Sequence, residues 1–268
     1  MKNIWILNQY ITSPEIDGDG YRHYYLAKRL HQFGYNSLLV TSSFAHAPYR
    51  HNKYKGLYKY VNKGVPTIIL KGNKYGIASG VGRIFSWIVY SFQLYLLPFI
   101  SSKKVPKPDI ILLSSLPLLP ILNVPFFKLL YPKCKFVFEV RDLWPLSGIE
   151  LGGYSPRNPF MQFLAFLERM AYRKADLVIS VIPRADLHIA KVLGHDKFRF
   201  EWITNGYEIP KLEKELDLSD VLDINIDPSD FNIGYAGTLV VANPLDTIIN
   251  VVGRHSNRRI KLYVLGGG

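Results

Sequence analysis

The sequence has a single cysteine, Cys134, among its 268 residues. One cysteine excludes an intramolecular disulfide and suits a reducing compartment such as the cytosol. No cysteine and histidine residues have the spacing of a zinc site, so we predict no metal. The first residues also lack the long apolar core of a signal peptide, and they predict a first strand instead.

Acidic residues are missing from a long stretch of the chain. No Asp or Glu lies between Asp19 and Asp109, whereas this stretch holds 14 Lys or Arg residues within a chain of net charge +12. Such a one-sided surface indicates an anionic partner (nucleic acid, anionic lipid or a phosphorylated substrate), and the alternative is a merely solvated basic face. Because no recognition motif accompanies the charge, we predict no nucleic-acid binding.

The chain also lacks a clear transmembrane run. Residues 84–100 are 17 uncharged and largely apolar residues, which is the short limit for spanning a bilayer, and Pro98 interrupts them. A helix buried in the domain is one alternative. The other is a helix lying in a membrane surface with Trp87, Tyr90 and Tyr95 at the interface, which the neighbouring basic residues favour.

Short apolar runs alternate with helical patterns along residues 1–205. This alternation predicts a parallel sheet covered by helices on both faces, which is a doubly wound α/β domain. The predicted strands are 3–9, 36–42, 65–70, 108–115, 135–142, 175–181 and 198–204. The helices that the sequence indicates most clearly are 21–34 and 158–175, the second with Asn158 as its cap and Pro159 at its first position.

A change in composition follows this domain. Residues 206–230 are predicted to be a linker, because 211–230 are polar and acidic and hold no long apolar run. From residue 231 the pattern is strand and glycine turn, helix, then strand and glycine turn. We therefore predict an incomplete second Rossmann-like domain over 231–268, which is marginal by itself because its strand edges and helix face are exposed.

Glycine turns after strands are the first candidate sites. Gly18 and Gly20 precede a helix whose free N–H groups are able to hold an anion, although a simple turn is the alternative. A dinucleotide fingerprint would need a third glycine where His23 stands, which argues against NAD. Backbone N–H groups at Gly237 and Thr238 are candidates for binding a diphosphate.

Two further candidates follow strands of the first domain. Arg141 and Asp142 come directly after the fifth predicted strand, beside Trp144, at the edge where open α/β sheets bind ligands. They suit a phosphate clamp or an acceptor for sugar hydroxyls, and the alternative is a structural ion pair. Glu139 lies on the same strand face as Arg141 and is its candidate partner. Asn205 begins a tight Asn-Gly turn after the seventh strand.

The order of these motifs resembles the family 4 (group 1) bacterial glycosyltransferases that build O-antigen, capsule and exopolysaccharide. The resemblance covers nearly the whole chain, and FEVRDLWP is its most specific part, pointing to the subgroup that uses N-acetylated amino sugars. The motifs are, in order, DGDGYRHYYLAKRL, PDIILLSS, FEVRDLWP, ADLVISV, ITNGYEIP, IGYAGTL and LYVLGGG.

The resemblance implies two Rossmann-like domains in the GT-B arrangement and metal-independent, retaining transfer. The donor substrate would be a UDP-sugar, with no separate cofactor, and the acceptor a lipid-linked saccharide or oligosaccharide. The enzyme would lie on the inner face of the bacterial cytoplasmic membrane, with basic residues 20–108 on anionic lipid. The implied site residues are Arg141 and Asp142 for catalysis, Gly18, Gly20, Asn205, Gly237 and Thr238 for the donor, and Arg22, His23 and Trp144 for the acceptor.

The sequence also departs from the family pattern. Thr238 and Asn243 stand where many members have an Arg and a Lys that clamp the diphosphate, and the Arg141–Asp142 pair replaces a histidine. The family's E-x7-E segment is expected downstream of Gly268. The second hypothesis is therefore an acceptor- and membrane-binding module that lacks the donor half.

Overall fold

Eight strands form one sheet in a computed structural model of the chain. The structure describes residues 1–17, 22–45, 50–51, 55–76, 80–100, 105–206, 227, 229–239, 243, 245–255 and 259–267. Contacts within the chain divide it into two units, Met1–Glu208 and Ile209–Gly268.

Seven of the ten strands in the described part of the first unit begin and end close to the predicted positions. The ten strands are β1 (Asn3–Leu7), β2 (Asn36–Ser42), β3 (Phe44–Ala45), β4 (Arg50–His51), β5 (Tyr58–Val61), β6 (Thr67–Leu70), β7 (Ile110–Ser114), β8 (Lys135–Val140), β9 (Leu177–Ser180) and β10 (Phe200–Trp202). The helices are α1 (Pro14–Asp17), α2 (Arg22–Gln32), α3 (Val81–Leu94), α4 (Val124–Leu130), α5 (Leu146–Glu150), α6 (Pro159–Lys174) and α7 (Ala185–Leu193). Short 3₁₀ turns cover Leu97–Phe99 and Leu119–Asn123.

The sheet order is β10-β9-β8-β7-β1-β2-β6-β5. All neighbouring pairs are parallel except β5 with β6. From β1, the chain first adds β2, β5 and β6 on one side of β1. It then crosses over and adds β7, β8, β9 and β10 in turn on the other side. The gap between β1 and β7 is therefore the topological switch point, where ligands bind at the carboxyl ends of the strands in open α/β sheets.

The predicted doubly wound α/β class is confirmed, with three strands that the sequence did not predict: β5 in the eight-stranded sheet, and the two-residue strands β3 and β4, which pair with each other. Residues 58–61 lie in the basic stretch and form β5 at the edge of the sheet. Asn158 caps α6 as predicted, because its Oδ1 accepts hydrogen bonds from the backbone N–H groups of Phe160 and Met161.

The core of the first unit lies on both faces of the sheet. Trp5 and Leu7 of β1 point to one face, where they join buried side chains of α3, α4, α6 and α7. Ile4 and Ile6 point to the other face, where they pack with Tyr24 and Ala27 of α2. This alternation follows from the two-residue period of a strand, and it gives the first unit an apolar core on each face of the sheet.

The apolar segment 84–100 belongs to this core. Trp87 and Tyr90 are buried on the inner side of α3, where Trp87 Nε1 donates to the Tyr10 hydroxyl at 2.8 Å and the Tyr90 hydroxyl donates to the Val40 carbonyl at 2.9 Å. The expectation that Trp87 and Tyr90 lie at a membrane interface was therefore wrong, since the sheet takes their side of the helix. Among the helices of the described residues, none is long and apolar enough to cross a bilayer.

Cys134 lies between α4 and β8 and is buried. Burial raises the pKa of its thiol to about 11, with the nearby Lys128 opposing the shift. A thiol with this pKa is almost wholly protonated at neutral pH, so Cys134 is a packing residue rather than a nucleophile.

The second unit holds β11 (Phe231–Ala236), α8 (Leu245–Arg254) and β12 (Ile260–Leu265). The two strands are parallel and pair from Phe231 opposite Ile260 to Ala236 opposite Leu265. No residue of α8 is buried, and Phe231, Ile249 and Leu265 are exposed. A β-α-β unit of this size buries little apolar surface, as the sequence led us to expect.

Candidate functional site

Asn8 forms hydrogen bonds to the backbone at the switch point between β1 and β7. This residue follows β1, is 1% exposed, and its side-chain amide donates to the carbonyls of Ser114 and Leu116, both at 2.9 Å. Its Oδ1 accepts from the Tyr10 N–H at 2.8 Å. One buried side chain therefore joins the segments that leave β1 and β7. Asn8 was not predicted as a functional residue, although a polar residue directly after a buried strand is an indication of such a role.

A buried carboxylate lies beside the switch point at the start of α2. Glu139 of β8 is 0% exposed, and its two oxygens contact consecutive residues of the helix: Oε1 accepts from Arg22 Nε at 2.9 Å, and Oε2 lies 2.7 Å from His23 Nε2. Burial acts to raise the pKa of Glu139, but the hydrogen bond and charge of His23 and the charge of Arg22 outweigh it, so the pKa lies well below its usual range. Glu139 is therefore ionised at neutral pH.

Arg22 also holds the segment that leaves β10. Its terminal nitrogens donate to the carbonyls of Ile203 and Thr204, and one lies 3.4 Å from Asn205 Oδ1. The structure thus brings together three of the predicted site residues, Arg22, His23 and Asn205, around Glu139. No direct ion pair joins Glu139 to Arg141 among the described residues, because Arg22 and His23 occupy the carboxylate oxygens. The charge of Glu139 nevertheless acts on Arg141 and stabilises its charged form.

Arg141 and Asp142 follow β8 and are exposed. The Arg141 N–H donates to Ser115 Oγ at 2.9 Å, which fixes the backbone at the switch point. Asp142 accepts from Trp144 Nε1 at 2.9 Å and from the Ser147 hydroxyl. Within the described residues no ion pair joins Arg141 to Asp142, and hydrogen bonds from Trp144 and Ser147 hold this loop. Desolvation lowers the pKa of the Arg141 guanidinium, and the negative charge of Glu139 opposes this shift.

Three polar atoms in the loop after β1 are buried without a hydrogen-bond partner among the described residues. They are Gln9 Oε1, Thr12 Oγ1 and Ser13 Oγ. Such groups are rare in folded proteins, because each one loses its hydration without compensation. Gln9 is held in place by its amide, which donates to Ser86 Oγ at 2.6 Å. This polar loop adjoins the switch point and was missed by the sequence analysis.

The glycine turns of the second unit lie side by side. Hydrogen bonds continue the strand ladder through both turns, from Gly237 N to Leu265 O at 3.0 Å and from Leu239 N to Gly267 O at 3.1 Å. The Thr238 carbonyl accepts from the Tyr235 hydroxyl and the Asn243 amide, each at 3.1 Å. Gly237 and Thr238 are exposed at the carboxyl ends of β11 and β12, where their predicted role remains a prediction.

We expect Gly266→Ala to open this pair of turns, because the new Cβ would fall on the carbonyl oxygen of Gly237 and lie 3.1 Å from its carbonyl carbon. Backbone atoms cannot yield as a flexible side chain does, so the second unit should lose about 1–3 kcal/mol. Amide hydrogen exchange should show faster exchange in β11 and β12 only. Gly267→Ala is the matched control, since its Cβ meets nothing within 4 Å; equal exchange in both variants would contradict the prediction.

Gly18 and Gly20 lie outside the described residues, so their predicted donor contacts are not placed. The described part of the chain holds no group of three or more His, Cys, Asp or Glu side chains arranged for a metal ion.

Comparison with known proteins supports the fold. No protein-family model and no curated protein matches the sequence. Among solved structures, the chain is similar to the catalytic domain of starch synthase IV from Arabidopsis thaliana bound to ADP and acarbose, with a TM-score of 0.64 and 15% identity over 99% of this chain and 68% of that chain. It is also similar to HepE from Anabaena in complex with UDP and glucose, with a TM-score of 0.53 and 13% identity over 100% of this chain and 61% of that one.

A third similar structure is LpCGTa in complex with UDP, with a TM-score of 0.53 and 12% identity, over 100% of this chain and 71% of that one. The chain thus spans 61–71% of the length of these three structures. The chain has a glycosyltransferase-like fold of the GT-B class. Its first unit is a Rossmann-like domain built on the eight-stranded sheet.

Proposed function

We propose that the protein is a glycosyltransferase that moves a sugar from a UDP-sugar to a lipid-linked or oligosaccharide acceptor. The sugar is of the N-acetylated hexosamine type and its anomeric configuration is retained. This reaction serves cell-surface polysaccharide synthesis at the inner face of the cytoplasmic membrane. The sequence resemblance to family 4 enzymes supports these finer assignments, and the GT-B fold supports transfer from a nucleotide-sugar.

The observation that carries the proposal is the polar edge around the switch point. Exposed Arg141 and the buried Arg22–Glu139–His23 cluster lie at or beside the carboxyl ends of the parallel strands. A guanidinium group is suited to the charge of a departing diphosphate, because it donates paired hydrogen bonds to phosphate oxygens. In this proposal Arg141 contacts the diphosphate, and Asp142 orients the sugar through its hydroxyls.

The acceptor-binding site is assigned to the same edge of the sheet, at the carboxyl ends of the parallel strands. Trp144 supplies an apolar ring beside Asp142, which suits the apolar face of a sugar. Arg22 and His23 are bound to Glu139, so we propose that they position this edge rather than reach the acceptor.

The donor side is assigned to backbone N–H groups near Asn205, Gly237 and Thr238, together with Gly18 and Gly20. Asn205 and Gly237 each follow a strand, as residues that approach phosphates do in α/β domains, and Gly18 and Gly20 are assigned from the resemblance alone.

Calorimetric titration of the 268-residue chain with UDP tests the proposal. We expect saturable binding that Arg141→Ala weakens about tenfold to a hundredfold, the effect of losing hydrogen bonds to a charged group. Arg173→Ala removes an exposed arginine from α6 and should leave binding unchanged. Titration with ADP shows whether the base is recognised. A protein that binds neither nucleotide is the alternative, an acceptor- and membrane-binding module without donor activity.

A further inference from the structure

Helices α6 and α7 form a surface cavity between them, which we call the α6–α7 cavity. Ala165, Glu168 and Arg169 line it from α6, and their spacing of three and four residues places them on one side of that helix. The exposed Phe166 and Val192 of α7 complete the lining. The cavity measures about 340 Å³, which is enough for a small organic molecule. None of these residues belongs to the proposed transfer site.

A buried carboxylate forms the polar part of the α6–α7 cavity. Glu168 is 3% exposed, and its Oε1 accepts from the Tyr172 hydroxyl at 3.0 Å and lies 2.7 Å from Nε2 of His188 on α7. Burial, and after it the charge of Glu168, raise the pKa of Tyr172 well above its usual value, so this hydroxyl keeps the proton that it donates. Tyr172 and His188 therefore fix the position of the carboxylate.

The second oxygen of Glu168 is left for another partner. Among the described residues, Oε2 has no hydrogen-bond partner and no lysine or arginine pairs with the carboxylate. Glu139 of the candidate site differs, because it uses both oxygens and one of them contacts an arginine. A buried carboxylate is costly without a cation and a full set of hydrogen bonds, which favours a ligand that supplies a positive charge.

A guanidinium group lies on the same cavity. Arg169 follows Glu168 in the chain, is exposed, and has no ion-pair partner among the described residues. A guanidinium binds a carboxylate through paired hydrogen bonds. A ligand with only a positive charge would be repelled by Arg169, and a ligand with only a negative charge would be repelled by Glu168. The two side chains therefore suit a molecule that carries both charges.

We propose that the α6–α7 cavity binds a small zwitterion, an α-amino acid with an apolar side chain. The ammonium group of this ligand donates to Glu168 Oε2, and its carboxylate accepts from Arg169. Its side chain packs against Phe166 and Val192, the bulky apolar part of the lining. The cavity is separate from the residues assigned to glycosyl transfer, so this inference does not depend on the proposed function.

Titration of the 268-residue chain with L-leucine, followed by backbone amide NMR spectra, tests the proposal. We expect saturable shifts that are confined to α6 and α7. N-acetyl-L-leucine lacks the positive charge, and L-leucinamide lacks the negative charge. Each analogue should bind at least about tenfold more weakly than leucine, the effect of losing hydrogen bonds between charged groups.

Two variants assign the contacts to residues. Arg169→Ala and Glu168→Gln should each weaken leucine binding at least about tenfold. Arg173→Ala is the matched control, since it removes another exposed arginine of α6 that does not line the cavity. Arg169→Ala keeps the test decisive if Glu168→Gln does not fold, because Arg169 is exposed and its side chain takes no part in the packing of the helix.

Several results would overturn the proposal. They are the absence of saturable shifts with leucine, equal binding of leucine and its two analogues, and equal binding of leucine by the parent and Arg169→Ala. Shifts that arise only outside α6 and α7 would also overturn it. Arg169→Ala should bind UDP as the parent does, so failure of this inference and failure of the proposed transferase function are distinguishable.

Discussion

Replacing Glu139 with glutamine should lower the free energy of unfolding by about 3–5 kcal/mol, because removing one partner of a buried ion pair leaves the other charge buried without compensation. Glu139 is fully buried, and the Arg22 side chain is only 9% exposed, so the guanidinium charge would keep no carboxylate partner. Urea denaturation measures the change. Glu150→Gln, at an exposed position of α5, should change stability by less than about 0.5 kcal/mol.

The same pair makes stability depend on pH. The pKa of Glu139 is lowered in the folded chain, so its contribution is fully present above the ordinary carboxylate pKa of about 4.3 and is lost as the pH falls towards the lowered value. The parent should therefore lose more stability than Glu139→Gln as the pH falls below about 4. Parallel stability curves for the two proteins over that range would show that Glu139 is not held as an ion pair.

Asn8→Leu should cost about 2–4 kcal/mol, because it leaves buried backbone groups of Ser114, Leu116 and Tyr10 without the hydrogen bonds that Asn8 gives them. Tyr10 holds the Trp87 indole, so the near-ultraviolet circular dichroism of the folded variant should change as well.

Asn36→Leu provides the comparison for Asn8. Asn36 is exposed, and its side-chain amide donates to Oδ1 of the half-buried Asn3 in a bond that is open to water, so its replacement should have little effect on unfolding. A loss from Asn8→Leu no larger than that from Asn36→Leu would mean that the switch-point segments keep their conformation without the buried amide.

The sequence predicted the sheet well, because strand and helix patterns are local. Apolar runs and the Asn158–Pro159 start of α6 depend on residues that are close along the chain. β5 was missed because its tyrosines and lysine resemble the surrounding basic stretch, and only its pairing with β6 defines it as a strand.

The candidate site was harder to predict, since its central contacts join distant residues. Arg22 and Glu139 lie 117 positions apart, and nothing local marks them as partners. The strand period predicts that Glu139 and Arg141 share one face of the strand, but it carries no information on helix α2, whose first residues lie beside Glu139. The sequence did not predict which side of α3 is buried for a similar reason. Both sides of this helix are apolar, and only its packing against the sheet determines which side is buried.

The antiparallel β5 has a consequence for solubility. A sheet edge presents unpaired backbone groups that are able to recruit strands from other molecules into aggregates. Here one edge is a four-residue strand that carries Lys59, with Lys63 just beyond it, and the opposite edge is the three-residue β10. Short length and lysine charge both oppose edge-to-edge pairing, so part of the basic stretch keeps copies of this chain from adding to one another's sheets.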